Sequence, residues 1–242
     1  MNETDINSPI SKNELSAKNF LRYKIGSLIR PGELVNGLTH LLGMFLAIPA
    51  LYFLLQQAPA DQGLSLYISL YVFGISLFLL YTASSSYHLL NISEQCTFHL
   101  RRIDHMMIFI LIAGSYTPIC LIALPGWWGW GLLIAVWSLA LGGIGLKIWH
   151  FNAPRWFSTL LYILMGWMVA IALYPLYLRV SMEAIFWLAL GGLSYTLGAL
   201  IYALKKPNLN LRYLGFHEIF HVFVLLGSFC HYWMVYRYLL PA

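Results

Sequence analysis

The chain has 242 residues, of which 60% are hydrophobic and 10% are charged, and its mean hydropathy is +0.71. A soluble domain contains about 45–50% apolar and about 25% charged residues, so this composition excludes a soluble globular protein and indicates a membrane protein with several spans. The formal net charge of +5 would suggest nucleic-acid binding in a soluble protein. Here we attribute it to membrane topology, and we expect no nucleic-acid partner.

Residues 1–30 form the first predicted unit, a polar cytoplasmic tail. Its start, residues 1–19, lacks the short apolar core and the small-residue cleavage site of a signal peptide. Residues 20–30 mix basic and apolar side chains, so we expect a short amphipathic helix on the membrane surface. Residues 31–242 form the second predicted unit, a transmembrane domain.

Seven apolar segments follow the tail, and each has about the ~20 residues needed to cross a ~30 Å hydrocarbon core. We predict spans at residues 33–56, 66–89, 103–124, 127–148, 157–178, 184–204 and 214–239. The short connections predict antiparallel neighbours in one compact bundle. The predicted fold class is therefore an all-α membrane protein, a seven-transmembrane helix bundle.

Basic residues are concentrated on one side of this predicted bundle. The tail and three alternate connections hold Lys12, Lys18, Arg22, Lys24, Arg30, Arg101, Arg102, Lys147, Arg155, Lys205, Lys206 and Arg212. The opposite side holds only Arg179 and Arg237. By the positive-inside rule, the N-terminus is predicted to be cytoplasmic and the C-terminus to lie outside.

Acidic and imidazole side chains occur at the predicted cytoplasmic ends of four spans that are distant in sequence. They are Glu33, His40, His88, Asp104, His105, His217, Glu218 and His221. His231 is an exception, because it lies ten residues beyond His221 and so ~15 Å deeper along the same helix. Ionisable groups at membrane depth are energetically unfavourable and are usually functional, so we expect a site where these spans meet.

His217 and His221 are four residues apart, so their rings lie on one helix face and can bind a single metal ion. A catalytic zinc site usually has a third protein ligand and an open position for water, and His88 is the best third ligand. Ser84 lies one turn before His88. Asp104 lies at matching depth, either to hold a zinc-bound water and take its proton or to serve as a fourth ligand. A hydrogen-bonded pair of core histidines is the alternative.

The segment HEIFH at residues 217–221 also matches the H-E-x-x-H pattern of zinc proteases, in which the glutamate is a general base. Intramembrane metalloproteases use a ligand aspartate further along the chain. No Asp or Glu follows Glu218 in this sequence. The third ligand must therefore come from upstream, which does not fit that class.

Five segments together resemble the hemolysin III family, the bacterial branch of the progestin and adipoQ receptor (PAQR) superfamily. They are ELVNGLTH at 33–40, SSSYH at 84–88, RIDH at 102–105, AGSYTP at 113–118 and HEIFH at 217–221. The resemblance covers essentially the whole chain after the tail. Because the segments occur in order on the expected spans, the match is much more specific than two histidines alone.

This resemblance implies a seven-helix bundle in the bacterial inner membrane, with Zn²⁺ near the cytoplasmic leaflet. By motif position, His88, His217 and His221 would be the zinc ligands. Asp104 would hold the zinc-bound water, and Ser84 would line the site. Eukaryotic members are lipid-linked receptors with a reported ceramide-hydrolysing activity, and bacterial members carry a hemolysin label and a proposed part in membrane lipid homeostasis.

Three hypotheses about function follow. The first is a zinc-dependent hydrolase of an amide or ester bond in a membrane lipid, with Asp104 as the proton acceptor. The second is a non-enzymatic sensor of membrane state in which zinc ties helices together, and the third is a pore-forming hemolysin. The sequence leaves open the substrate, the oligomeric state and the roles of Glu33, His40, Glu218 and His231.

Overall fold

The structure, a computed structural model, describes residues 30, 32–61, 63–124, 126–151, 153–207 and 215–240. Within these residues, seven helical spans are long and apolar enough to cross a membrane. The predicted seven-helix bundle is confirmed, and the protein is a multi-pass membrane protein. Apart from Arg30, the predicted tail with its surface helix lies outside the described residues, as does the predicted start of the last span at residue 214.

Eight α-helices build the seven described spans. They are α1 (Leu34–Gln57), α2 (Leu64–Leu89), α3 (Glu94–Pro118), α4 (Trp127–Trp149), α5 (Arg155–Gly166), α6 (Leu173–Tyr177), α7 (Met182–Leu204) and α8 (Phe216–Met234). Single π-helical turns, Ile119–Ala123 and Val235–Leu239, extend α3 and α8. A 3-10 turn, Met168–Ala172, joins α5 to α6, and these three segments form the fifth span.

The helices α2 and α3 form the centre of the bundle. In the most apolar part of each span, 50% of α2 and 61% of α3 is buried, compared with 22% of α1. Small residues allow close helix contacts, as is usual between transmembrane helices. A Cβ atom at Gly143 of α4 would overlap the ring of Phe109 on α3, and one at Gly114 of α3 would overlap Ser76 on α2. On the outer face, large apolar side chains such as Phe45 of α1 and Leu141 of α4 are exposed, where they would contact lipid.

The third span begins earlier than predicted, at Glu94 rather than at residue 103. Ser93 caps it, since its hydroxyl oxygen accepts a hydrogen bond of 3.1 Å from the backbone N–H of Cys96. The prediction was wrong because the first turns of α3 are polar, and apolar composition reveals only the part of a helix that lies in hydrocarbon. Arg101 and Arg102, predicted in the loop between the second and third spans, are therefore helical. Lys147, predicted in the connection between the fourth and fifth spans, lies inside α4.

The fifth span is not the continuous helix that was predicted at residues 157–178, because it leaves α geometry between α5 and α6. The side chain of Tyr116, from α3, hydrogen-bonds to the backbone at this break. Its hydroxyl donates to the backbone carbonyls of Met165 and Gly166, at 3.0 and 2.6 Å, and accepts from the N–H of Val169 at 2.9 Å. Irregular backbone at membrane depth persists only where protein satisfies its polar groups. Here the buried hydroxyl of Tyr116, from another span, provides the hydrogen bonds that the broken helix lacks.

We expect Tyr116→Phe to destabilise the protein by about 1–3 kcal/mol, the usual penalty for leaving buried backbone groups without a partner. Thermal unfolding of the purified protein in detergent measures this change. Tyr174→Phe is the matched control, because Tyr174 belongs to the same span and is 73% exposed. Equal melting temperatures for the two variants would show that the Tyr116 hydroxyl does not support the break.

Candidate metal centre

Polar side chains from several spans meet at one end of the bundle, which we call the histidine end. It contains the start of α1, the end of α2 and the start of α8. Glu33 immediately precedes α1, His88 lies in the last turn of α2, and His217 and His221 lie in the first two turns of α8. Because α1 and α2 are antiparallel, Glu33 at the start of α1 lies next to His88 at the end of α2.

The structure brings His88, His217 and His221 together, as the sequence predicted. One ring nitrogen from each lies within 4.8 Å of the others, and the Nε2 atoms of His88 and His217 are 3.4 Å apart. His88 and His221 are almost fully buried, each with 2% exposed. Two lone pairs directed at the same point require a proton or a metal cation between them. The arrangement could therefore hold a metal ion.

A hydrogen bond to Glu33 fixes the orientation of His88. The Nδ1 atom of His88 lies 2.8 Å from Glu33 Oε2, and the amide nitrogen of Asn36 donates to the same oxygen at 2.9 Å. The bond with His88 lowers the pKa of Glu33 to about 2, against the opposing effect of burial. Glu33 is therefore a carboxylate that accepts a hydrogen bond from Nδ1–H of His88, and this leaves Nε2 of His88 unprotonated and available as a ligand.

A backbone carbonyl orients His221 in the same way. Its Nδ1 atom lies 3.1 Å from the carbonyl oxygen of Asn36 and 3.5 Å from the hydroxyl of Thr39, both on α1. A carbonyl oxygen can only accept, so Nδ1 carries the proton and Nε2 is the free nitrogen. Both buried histidines thus have the tautomer that a metal ligand needs, and α1 supplies the partner in each case.

These residues fit a zinc ion. Two nitrogens that each lie ~2.05 Å from a tetrahedral zinc are about 3.3 Å apart, and the His88 and His217 nitrogens are separated by 3.4 Å. Three neutral imidazoles are a known ligand set of catalytic zinc, and ligating histidines usually donate their other ring N–H to a carboxylate or carbonyl. Glu33 and the Asn36 carbonyl are partners of that kind.

Asp104 and Ser84 line the same cavity as the three histidines. Ser84 is buried, with 1% exposed, and its hydroxyl lies near enough to the Asp104 carboxylate to interact with it. Asp104 also lies within electrostatic range of His88. Although α3 starts earlier than predicted, Asp104 therefore faces the same cavity as the histidines, and all five residues selected from the sequence line it.

Four other ionisable residues near the site have different surroundings. His40 stacks on His221 with ring centroids 3.6 Å apart, and His105 lies beside Asp104 at 3.9 Å. Glu218 accepts a hydrogen bond of 2.8 Å from the backbone N–H of Gly215, so it caps α8 and is not free to act as a protease base. His231 packs against Tyr195 and lines the deeper part of the cavity.

Sequence analysis left the role of Glu33 open and did not select Asn36, although both orient metal-binding candidates. One signal could have found them, because Glu33, Asn36 and His40 have the spacing of one helix face. A carboxylate, an amide and an imidazole on the same face of a membrane helix predict a polar contact with another span. The partner span, however, is apparent only from the packing.

Comparisons with known proteins agree with the resemblance seen in the sequence motifs. The model of the Haemolysin-III related family matches residues 29–232. Hemolysin-3 of Bacillus cereus is 39% identical over 211 residues, which cover 87% of this chain and 93% of that protein. The Hemolysin-3 homolog of Bacillus subtilis is 42% identical over 197 residues, which cover 81% and 89%. The human monocyte to macrophage differentiation factor is 25% identical over 179 residues, 71% of each chain.

We expect Glu33→Ala to weaken zinc binding by about 10- to 100-fold, the usual effect of removing the partner of a ligating histidine. The reason is that His88 would lose the acceptor that fixes its ring and tautomer. Competition between the purified protein and a chromophoric chelator measures the zinc affinity. Glu183→Ala is the control, because Glu183 lies in the first turn of α7 at the opposite end of the bundle. An unchanged affinity in Glu33→Ala would contradict this role.

Proposed function

This chain belongs to the Haemolysin-III related family, and from that premise we propose that it is a zinc-binding membrane hydrolase of amide or ester bonds in lipids. The distant similarity to a monocyte to macrophage differentiation factor supports its place in the PAQR superfamily. The observation that carries the proposal is the convergence of His88, His217 and His221 in one cavity with Asp104 and Ser84. A ligand set, an acid and a cavity are the parts that metal-assisted hydrolysis requires.

Each residue has a defined part in this proposal. His88, His217 and His221 would hold the ion, and a bound zinc supplies a Lewis acid and lowers the pKa of water to about 7. The Asp104 carboxylate accepts a proton from the attacking water and returns it to the leaving amine or alcohol. Ser84 would donate a hydrogen bond to Asp104 and so hold the carboxylate toward the histidines. Glu33 and the Asn36 carbonyl keep two of the rings in place.

The shape and lining of the cavity favour an amphiphilic substrate. Its volume is about 940 Å³, near the upper end of the ~300–1,000 Å³ that ligand pockets usually have. Polar groups gather at the histidine end, while apolar side chains of α3 and α5, among them Ile108, Ile112 and Ile163, line the part toward the membrane interior. A lipid would therefore place its polar group near the histidines and its acyl chain between the helices.

A non-enzymatic protein with a structural metal is the second candidate, and the contacts of α1 favour it. Hydrogen bonds join α1 to α2 through Glu33 and His88, and α1 to α8 through Asn36 and His221. A metal bound by His88 and His221 would reinforce both connections. In that case the ion would set the packing of three spans, and the protein would report membrane state without turnover.

The name Hemolysin-3, which two relatives carry, also suggests pore formation as a function. A pore needs a polar or charged lumen across the membrane, or a hydrophobic constriction that gates it. Most of the ionisable residues that line the described cavity lie at the histidine end, and His231 is the deep exception. This distribution favours a binding cavity over a pore.

We expect Asp104→Asn to lower the hydrolysis of ceramide-like lipids by about 10²- to 10⁴-fold, the usual contribution of general acid–base catalysis. Zinc content should remain at the wild-type level, since the three histidines are unchanged. Turnover of a fluorescent ceramide by purified, zinc-loaded protein in mixed micelles measures the effect, and Asp61→Asn, in an exposed loop between α1 and α2, is the control. Equal turnover in Asp104→Asn and the wild type would show that the mechanism is wrong.

Zinc removal separates the two candidate functions. If the protein is a hydrolase, chelation should abolish turnover, and zinc should restore it. If zinc has only a structural part, His221→Ala should lower the melting temperature, and no amide or ester lipid should be hydrolysed at any zinc concentration. Calorimetry and the lipid assay on the same preparations give both results.

A further inference from the structure

A second group of residues at the histidine end of the cavity is positively charged. Arg101 of α3 and Lys147 of α4 lie on the same aromatic ring: the Arg101 guanidinium carbon is 5.6 Å, and the Lys147 ammonium nitrogen 5.7 Å, from the centroid of Phe151. All three residues line the cavity. The two cations are within electrostatic range and repel each other, so an anion between them would stabilise the arrangement.

Lys147 is the most unusual of these residues, because it is buried, with 5% exposed. Its ammonium donates a hydrogen bond of 2.6 Å to the hydroxyl of Ser158. A neutral hydroxyl does not compensate a positive charge, and a buried charge is strongly unfavourable unless an opposite charge accompanies it. The last carbonyls of α4 do not provide one, because the Arg102 guanidinium donates to those of Lys147 and Ile148.

The described residues contain no ion pair between a carboxylate and either cation. Their two ion pairs join Glu33 to His88 and Asp104 to His105. Asp104 is within electrostatic range of Arg101, but its ion pair is with His105. The positive charge of Lys147 therefore faces the cavity without a protein anion beside it.

The start of α5 adds further donors at the same place. The cap residue Pro154 offers no side-chain acceptor, and its carbonyl accepts from the N–H of Phe157 at 3.0 Å. The N–H groups of Arg155 and Trp156 are the ones left for a ligand. Pro154, Arg155 and Ser158 all line the cavity. The hydroxyl of Ser158 accepts from Lys147, so its own proton remains available to a ligand. A helix N-terminus next to a lysine is a favourable environment for an anion, and for phosphate in particular.

We propose that Arg101, Lys147, Ser158 and the first turn of α5 form a binding site for a phosphate group, carried by an anionic membrane lipid or free in solution. The juxtaposition of a buried, uncompensated ammonium, a second cation and an uncapped helix start carries this inference. It goes beyond the proposed function, because it uses neither the histidines nor a metal. If both are correct, the cavity takes a phospholipid, with its phosphate at α5.

The experiment measures binding of three compounds to delipidated, purified protein. They are dioleoylphosphatidylglycerol, dioleoylglycerol, which has the same chains without phosphate, and inorganic phosphate alone. Native mass spectrometry gives the lipid affinities, and the melting temperature reports on inorganic phosphate. We expect the phospholipid to bind at least about tenfold more tightly than dioleoylglycerol, since one charge-assisted contact contributes that much or more. Stabilisation by inorganic phosphate without a preference between the lipids would assign the site to the free ion, and a preference for the phospholipid without that stabilisation would assign it to the lipid.

Lys147→Met should remove the preference for phosphate, and Lys206→Met should keep it. Lys206 is the matched control, because it is an exposed lysine just beyond α7 that does not line the cavity. Arg101→Gln, at an exposed position, is the second test variant should Lys147→Met fail to fold. Equal binding of the two lipids together with no effect of inorganic phosphate, or an unchanged preference in both test variants, would overturn the inference. Zinc content of the same samples separates this failure from that of the proposed function.

Discussion

The hydrogen bond between Glu33 and His88 joins the first two spans where the three histidines meet. Membrane helices cannot leave polar groups facing lipid, so a carboxylate and several imidazoles at this depth must find partners inside the bundle. At the histidine end they do so across spans: Glu33 with His88, at 2.8 Å, and the Asn36 carbonyl with His221, at 3.1 Å. Because these partners accept hydrogen bonds from the Nδ1–H groups, the opposite ring nitrogens keep free lone pairs that could bind a metal ion.

The break in the fifth span has a similar physical basis and helps to form the cavity. A continuous helix satisfies its own backbone, whereas the segment between α5 and α6 depends on the Tyr116 hydroxyl. The cavity passes beside this break, since Tyr116, Gly166 and Trp167 are among its lining residues. Polar groups at one end and apolar walls further in are what an amphiphile requires, and the buried Lys147 adds a positive charge at the polar end.

The sequence predicted the number of spans and the residues of the histidine cluster correctly, because both follow from strong constraints. Span length follows from bilayer thickness, and the i, i+4 spacing of His217 and His221 fixes a shared helix face. It did not predict the break after Gly166, which depends on a tyrosine from another span, nor the early start of α3, whose first turns are polar. The role of Glu33 also required the packing of α1 against α2. The predicted orientation of the termini stays a prediction.

The central claim is that His88, His217 and His221 together bind one zinc ion. X-ray absorption spectroscopy at the zinc edge, on protein purified after growth in zinc-containing medium, tests it most directly. We predict about one zinc per chain, with three imidazole nitrogens at about 2.0–2.1 Å and a light-atom ligand in the remaining position. Protein without bound zinc, or a spectrum with sulfur ligands or fewer than three imidazoles, would contradict the claim.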